Sequence, residues 1–207
     1  TKKYTETAID FIRRKKDEQF FLHLCHAMPH KPLAASTGFY TPDTPDDLYD
    51  DVIRELDWSV GEIMNELRKL IILDHTIVIF MSDNGQPSQA DRNLPLRGHK
   101  LTPYEGGVRV PLIVDWPGVT KPKSINRNYV IIEDLFPTIL EMAGVSEYKQ
   151  VGEIIDGQSF VPFLRNSEIK EQNRPIFWHY PNTYDQPPYS SVRKGDWKLI
   201  YQHVTEE

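Results

Sequence analysis

The sequence predicts an α/β fold: a mostly parallel sheet sandwiched by helices, followed by a small antiparallel α+β subdomain at the C-terminal end. Segments with helical periodicity alternate with continuous apolar runs, which are typical of parallel strands covered on both faces. The helical stripe at 48–70 leads directly into the apolar run 76–81. Near residue 165 the pattern changes to short strands separated by turn residues. We therefore predict a first domain over residues 1–164 and the start of a second over 165–207.

The composition excludes several classes of protein. The chain has 207 residues, of which 39% are hydrophobic and 26% charged, as in an ordinary globular protein. Its net charge of −6 argues against nucleic acid as a partner, because phosphate binding favours a basic surface. No apolar run approaches the length of about 18 residues that a membrane span needs. Cys25 is the only cysteine, so no internal disulfide forms. The compartment stays open, with a periplasmic or secreted protein of bacterial type favoured.

The first elements alternate between helix and strand. Residues 4–16 carry apolar side chains at helical spacing. Residues 20–24 are typical of a short buried strand, and the prolines of the Pro-His-Lys-Pro motif at 29–32 exclude regular structure after it. In the helix at 48–70, apolar residues at steps of three and four form one stripe, and Thr44 is a suitable N-cap before it.

The second half begins with a polar, glycine-rich stretch at 86–107, which predicts a long loop of the kind usually kept for function. A strand at 108–116 follows, and then a helix at 134–143 that tolerates Pro137 in its first turn. The C-terminal subdomain is predicted to contain three short strands, at residues 176–180, 190–193 and 197–201. A tight turn around Gly195 joins the last two of them.

Three consecutive residues, Asp83, Asn84 and Gly85, lie just beyond the apolar run 76–81, with Ser82 between them and the run. In open α/β sheets, ligands gather beyond the carboxyl ends of the strands, which is where Asp83 and Asn84 are predicted to lie. Carboxylate and amide oxygens suit Ca²⁺ or Mg²⁺, and Gly85 would let the backbone turn away from the ion. Taken alone, an Asx-turn that closes the strand is the simpler interpretation.

Two further features follow predicted strand ends. In the loop 97–111 two groups of glycines would let the backbone approach a ligand closely, and Lys100 and His99 could meet an anion; a solvated loop is the alternative. His30 stands between two prolines, although a single histidine is more often structural. Together with Asp83 and Asn84, these residues offer a metal site, a cation and a histidine to one anionic substrate. That combination predicts metal-assisted hydrolysis of a sulfate or phosphate ester.

At this point the sequence resembles the type I sulfatases of the alkaline-phosphatase-like superfamily, along nearly the whole chain and in order. The motifs are Phe-Phe-Leu at 20–22, Pro-His-Lys-Pro at 29–32, Leu-Asp at 56–57, Val-Gly at 60–61, Ser-Asp-Asn-Gly at 82–85, Arg-Gly-His-Lys at 97–100, Tyr-Glu-Gly-Gly-Val-Arg-Val-Pro at 104–111, Asp-Leu-Phe-Pro-Thr at 134–138, Asp-Gly-Gln-Ser at 156–159 and Arg-Lys-Gly-Asp-Trp-Lys-Leu at 193–199. One such motif is modest support, but this many in register is specific.

The resemblance implies a role for four residues. Asp83 and Asn84 match two ligands of the divalent metal, which is usually Ca²⁺, with Mg²⁺ as the other possibility. Lys100 matches the lysine that grips the sulfate and the leaving oxygen. His30 matches the histidine beside the sulfate, a hydrogen-bond donor or a proton donor to the leaving group. Such groups stabilise charge that develops in the transition state.

The chain also departs from the family pattern. It contains no Cys/Ser-x-Pro-x-Arg motif, in which the family's nucleophile is converted to formylglycine, and we expect Cys25 to be a buried thiol instead. The aspartates that open the family's metal site are also missing. In the family these features lie N-terminal to everything present here, so the resemblance implies that the chain is the C-terminal portion of a sulfatase, inactive without its N-terminal half.

The resemblance leaves three functions open. The first is hydrolysis of sulfate esters, of sulfated glycans or aryl sulfates, by the whole protein through a covalent intermediate. The second is a phosphodiesterase or phosphonate hydrolase of the same superfamily, which would carry an unmodified Thr or Ser nucleophile. The third is a sulfatase-like binding protein without catalysis, which the intact Asp83, Asn84, Lys100 and His30 argue against.

Overall fold

The computed structural model describes residues 1–41, 48–88, 93–145, 154–171, 173–184 and 186–203. The chain divides into two compact units, Thr1–Ile77 and Val78–Glu207, and each is described by itself. Within the described ranges, no helix has the length and apolar character to cross a membrane. The predicted N-cap Thr44 lies outside the described residues, as do residues 89–92 of the predicted functional loop.

The first unit is built from two packed helices, α1 (Lys2–Lys15) and α2 (Leu48–Lys69), followed by a short 3₁₀ turn at Leu73–His75. Both helices were predicted from their periodicity. The two helices pack together, and four of their apolar side chains are buried: Ala8, Ile12, Val52 and Leu67. Much of the predicted apolar stripe of α2 is only half-buried, and the buried residues of the helix include acidic and hydroxyl side chains.

Hydrogen bonds satisfy the buried polar groups of α2. Ser59 is fully buried and its hydroxyl accepts from Thr5 Oγ1 at 2.7 Å. The carboxylate of Glu55 is also buried, and it accepts from the backbone N–H and the hydroxyl of Ser36 and from the N–H of Lys2. Since a buried carboxylate without partners is costly, these donors are a condition for packing α2 in this orientation.

Two further acids of α2 are paired at its buried side. Asp51 is fully buried and accepts from the N–H and hydroxyl of Thr41, both at 2.7 Å, and from Arg54 at 3.0 Å. Glu66 receives two hydrogen bonds from Arg13 of α1, at 2.7 and 3.1 Å. The helix pair therefore depends on ionised carboxylates as well as on apolar contact.

The predicted strand at 20–24 is wrong. These residues are irregular, and the side chain of Phe21 is 68% exposed. The strand prediction failed because short apolar runs occur in irregular segments as well as in strands.

The second unit begins with a two-stranded antiparallel sheet. Strand β1 (Val78–Met81) pairs with β2 (Leu112–Asp115), with Val78 opposite Asp115 and Met81 opposite Leu112. The parallel pairing expected for β1 is therefore not present among the described residues, because residues 20–24 form no strand and β1 pairs with the next strand along the chain instead. Strand β2 starts later than predicted, since a helical turn, α3 (Glu105–Val108), precedes it.

A helical segment follows the small sheet. A 3₁₀ turn at Ile132–Asp134 continues into α4 (Leu135–Met142), where Pro137 lies in the first turn as predicted. The turn is fixed by Asp134, which is buried and accepts from Arg174 at 2.7 and 2.9 Å and from the N–H of Gln158 at 2.7 Å. A hydrogen bond from Gln158 to Asp134 thus joins the motifs at 134–138 and 156–159.

The C-terminal sheet follows a short helix, α5 (Val161–Arg165), and confirms the predicted strands. Strands β3 (Ile176–Tyr180), β4 (Tyr189–Lys194) and β5 (Trp197–Gln202) are antiparallel, in the order β3-β4-β5. Gly195, with φ of +56°, makes the predicted tight turn between the last two strands. The domain boundary at 164/165 stays a prediction.

The carboxylates of α2 predict an acid-sensitive first unit. Hydrogen bonds from Thr41 lower the pKa of Asp51, and the hydrogen bond from Arg13 lowers that of Glu66. Burial alone would raise the pKa of Glu55, but the hydrogen bonds from Ser36 outweigh it and the net shift is downward.

Folded-state pKa values below the unfolded ones add stability above the unfolded values, and this stability is lost as the pH falls through the folded values. We expect the melting temperature of the chain to fall as the pH drops below about 5, where these carboxylates become protonated. Glu55→Gln should lower it at pH 7 and weaken the acid dependence, whereas Asp57→Asn, at an exposed position of the same helix, should do neither. A melting temperature that rises on acidification would contradict this.

Candidate active site

The segment 82–85 closes β1 with a turn that presents Asp83 and Asn84. The hydroxyl of Ser82 donates to the backbone carbonyl of Asn84 at 2.9 Å. Asn84 Nδ2 donates to Asp83 Oδ2 at 2.6 Å, with Asp83 exposed and Asn84 half-buried. The turn thus closes the strand and also holds a carboxylate and an amide side by side beyond its carboxyl end.

Backbone atoms of the α3 segment surround Gly85. Its N–H donates to the carbonyl of Gly107 at 3.0 Å. A Cβ at position 85 would lie 1.9 Å from the carbonyl oxygen of Gly106 and 2.9 Å from Gly107 Cα. No side chain fits between these atoms, so Gly85 is required for the close approach of two backbone segments.

Lys100 lies on the loop that precedes α3 and is half-buried. Its N–H donates to the carbonyl of Gln86 at 2.8 Å, directly after the 82–85 turn. Its own carbonyl faces Nδ1 of His99 at 2.9 Å. The loop is further fixed by the buried Thr102, whose hydroxyl donates to the carbonyl of His99 at 2.7 Å. The structure therefore brings the Lys100 loop and the segment after the Asp83–Asn84 turn together.

Two glycines at the start of α3 complete the contact. The N–H of Gly106 donates to the carbonyl of Arg97 at 2.7 Å, and a Cβ at 106 would lie 2.0 Å from the carbonyl oxygen of Gly98. A Cβ at Gly107 would lie 2.3 Å from the carbonyl oxygen of Thr102. Asn93, which the sequence reasoning missed, donates from Nδ2 to the Gly106 carbonyl at 2.8 Å. A polar residue in a polar loop carried no signal of this contact.

His30 belongs to the first unit and lies exposed in the irregular segment after residues 20–24. Its Nδ1 is 2.7 Å from the carbonyl oxygen of Lys31. Cys25, expected to be a buried thiol, is exposed and lies 3.2 Å from Nε2 of His23. The expectation was wrong because it assumed a buried strand leading into Cys25.

The donor atoms of the turn suit a hard cation. Asp83 and Asn84 offer two of the roughly six to eight oxygen ligands that Ca²⁺ takes, and neither residue is a soft donor. In the described part of the chain, no group of three or more His, Cys, Asp or Glu side chains is arranged to hold a metal. The two residues therefore fit a part of a calcium or magnesium site, as a pair of ligands that needs others.

Two family models match this chain. The sulfatase model matches residues 1–145, and the model described as "N-sulphoglucosamine sulphohydrolase, C-terminal" matches residues 99–207. The first model alone covers more than half of the chain and includes the Asp83–Asn84 turn, Lys100 and His30. The chain belongs to the sulfatase family.

Curated relatives and solved structures agree with this assignment. The chain is 35% identical over 190 residues to N-acetylgalactosamine-6-sulfatase of Canis lupus familiaris, which covers 88% of the chain and 35% of the relative. It is 31% identical over 214 residues to steryl-sulfatase of Rattus norvegicus, which covers 97% of the chain and 36% of the relative. The chain thus spans about a third of the length of these relatives.

Among solved structures, the crystal structure of Ps i-CgsB in complex with k-i-k-neocarrahexaose superposes with a TM-score of 0.84 at 27% identity. The match covers 96% of this chain and 45% of that one. This likeness confirms the predicted α/β fold class of the alkaline-phosphatase-like superfamily, although each described strand pair is antiparallel.

The packing of the glycines gives a direct prediction. Gly106→Ala should lower the free energy of unfolding by about 1–3 kcal/mol, since its Cβ has no space beside the Gly98 carbonyl. The matched control is Gly61→Ala in α2, where nothing lies within 4 Å of the added Cβ. That change should raise the free energy of unfolding by about 0.5–1 kcal/mol, because alanine favours a helix over glycine. Equal effects of the two substitutions in urea unfolding would refute the close packing.

Proposed function

We propose that the whole protein is a sulfuric ester hydrolase that acts on sulfate esters with the help of a divalent metal. The observation that supports the proposal is the backbone hydrogen bond from Lys100 to Gln86, which holds the Lys100 loop next to the segment that follows Asp83 and Asn84. A metal-binding turn beside a lysine suits an anionic group with dispersed negative charge. Membership of the sulfatase family supports the same reaction.

Each of the four predicted residues has a distinct task in this proposal. Asp83 and Asn84 would ligate the ion, which is Ca²⁺ or, as the other possibility, Mg²⁺. When bound, the ion supplies positive charge for the sulfate oxygens. Lys100 would donate hydrogen bonds to the sulfate and to the leaving oxygen, where negative charge grows as the ester bond breaks. His30 would donate a hydrogen bond or a proton to the leaving group.

The nucleophile is proposed to lie outside this chain, as a formylglycine in an N-terminal half of the protein. The chain contains no Cys/Ser-x-Pro-x-Arg motif, and it spans about a third of the length of its relatives. The chain alone is then inactive, and its affinity for Ca²⁺ is weak because Asp83 and Asn84 are only part of the ligand set.

The substrate class favoured here is a sulfated glycan. Of the proteins compared above, one is named for an N-acetylgalactosamine sulfate and one was solved with a neocarrahexaose, whereas a third is named for a steryl sulfate. An aryl sulfate would be a smaller substrate that needs only the sulfate site, so it serves as a probe of the chemistry independent of the glycan.

Substitution of Lys100 tests the reaction. In the whole protein, Lys100→Ala should lower kcat for an aryl sulfate by about 10²–10³, as expected for loss of a donor to a developing charge. The matched control is Lys121→Ala, at an exposed position of the same unit. A phosphate diester assayed in parallel separates the phosphodiesterase alternative: faster turnover of the diester than of the sulfate would overturn the proposal.

Metal removal tests the turn. Chelation should abolish turnover of the aryl sulfate by the whole protein, and added Ca²⁺ should restore it. Asp83→Ala should raise the Ca²⁺ concentration for half-maximal activity by about tenfold or more, since a charged oxygen ligand is lost. Tight Ca²⁺ binding by the isolated 207-residue chain in a calorimetric titration, or turnover of the sulfate by that chain, would contradict the division of the site.

A further inference from the structure

Glu105 connects the active-site loop to the C-terminal sheet. Its Oε1 accepts from Arg193 Nη1 at 2.9 Å and from Lys198 Nζ at 3.3 Å. The side chains of both cations are well shielded, at 14% and 13% exposure, and that of Glu105 is 29% exposed. Ion pairs this shielded are screened less by solvent than surface pairs are, so the contact constrains the position of Glu105 more firmly.

The two cations are themselves held by the sheet. Arg193 of β4 lies directly opposite Lys198 of β5. The guanidinium of Arg193 stacks on the ring of Tyr129 at 3.9 Å, donates to its hydroxyl, and donates from Nε to the carbonyl of Gly195 at 3.3 Å. Lys198 lies over the ring of Trp178 at 4.5 Å. Glu105 therefore meets a pre-ordered pair of donors rather than two mobile side chains.

The negative charge of Glu105 partly balances the two positive charges of Arg193 and Lys198. Burial lowers the pKa of Lys198, Glu105 raises it, and the neighbouring Arg193 lowers it again. Without Glu105, two like charges would face each other across strands in a partly dry site, which is unfavourable. Glu105 thus offsets the repulsion between the two cations.

Glu105 transmits this constraint to the site through the next two residues. It is the first residue of α3, and Gly106 and Gly107 follow it directly. Gly107 accepts the N–H of Gly85, and the N–H of Gly106 donates to Arg97. Because backbone atoms touch at each step, a displacement of Glu105 displaces both the Asp83–Asn84 turn and the Lys100 loop.

We propose that Arg193 and Lys198 are positioning residues, which hold the metal-binding turn and the Lys100 loop in register through Glu105. None of the three has to touch the substrate. The kinetic consequences of this inference rest on the proposed function, whereas the structural coupling itself does not.

Hydrogen exchange of the whole protein tests the coupling without any assay of activity. Glu105→Gln should speed exchange of the Gly85, Lys100 and Gly106 amides by about tenfold or more, because a charged acceptor is lost. Amides paired between β4 and β5 should keep their protection. The control is Lys194→Met, which removes an exposed cation from the same strand end and should leave all these rates unchanged.

Metal dependence then separates positioning from simple stabilisation. Arg193→Lys and Lys198→Met should each lower kcat for an aryl sulfate more than they change KM and raise the Ca²⁺ requirement by about threefold or more, with excess Ca²⁺ restoring part of the rate. Arg193→Lys keeps the positive charge but cannot bond to Tyr129, Gly195 and Glu105 together. Lys198→Met leaves the Arg193–Glu105 pair intact, so it provides the test if Glu105→Gln folds poorly.

Amide exchange and the Ca²⁺ requirement together distinguish a failure of the coupling from a failure of the proposed function. Unchanged exchange at Gly85, Lys100 and Gly106 in all three variants would overturn the inference, whatever the activity. Faster exchange in a protein that hydrolyses no sulfate ester would support the coupling and overturn the proposed function instead. Faster exchange with an unaltered Ca²⁺ requirement would show that the residues stabilise the loop but do not position the metal ligands.

Discussion

The candidate site depends on the close approach of two backbone segments, at Gly85 and at Gly106–Gly107. Side chains are excluded there because a Cβ at position 85 would lie 1.9 Å from a carbonyl oxygen. The contact sets the Asp83–Asn84 turn against the segment that follows the Lys100 loop, so it determines where oxygen ligands and cation lie relative to each other. A loop longer than most and rich in glycine would otherwise be the least ordered part of the unit. Here it is closed by backbone hydrogen bonds and by Asn93.

The sequence indicated Asp83, Asn84 and Lys100 as candidate residues because local motifs single them out, and their roles stay predictions. They stand beside glycines that were expected to allow a turn and a close approach to a ligand, whereas the structure shows that these glycines let two backbone segments meet. The C-terminal strands were predictable for a similar reason, since alternation and a tight turn at Gly195 are local signals. Local patterns sufficed for β4 and β5, which the turn at Gly195 joins.

Long-range contacts were not predictable in this way. The run 20–24 has the composition of a buried strand, but composition does not reveal which other segment would pair with it, and the structure leaves Phe21 exposed. The prediction that Cys25 is buried was wrong for the same reason. The ion pair of Glu105 with Arg193 joins residues 88 positions apart, and neither residue has a local pattern that indicates the other. Within α2, the buried acids Asp51 and Glu55 run against the expectation of an apolar face, and only their donors explain them.

The most direct test of the proposed site is a crystal structure of the whole protein grown with Ca²⁺ and sulfate. The predicted result is a calcium ion ligated by oxygens of Asp83 and Asn84, with Nζ of Lys100 within hydrogen-bonding distance of a sulfate oxygen and the Gly85–Gly107 bond intact. A calcium ion bound away from Asp83 and Asn84, or a sulfate with no contact to Lys100, would contradict it.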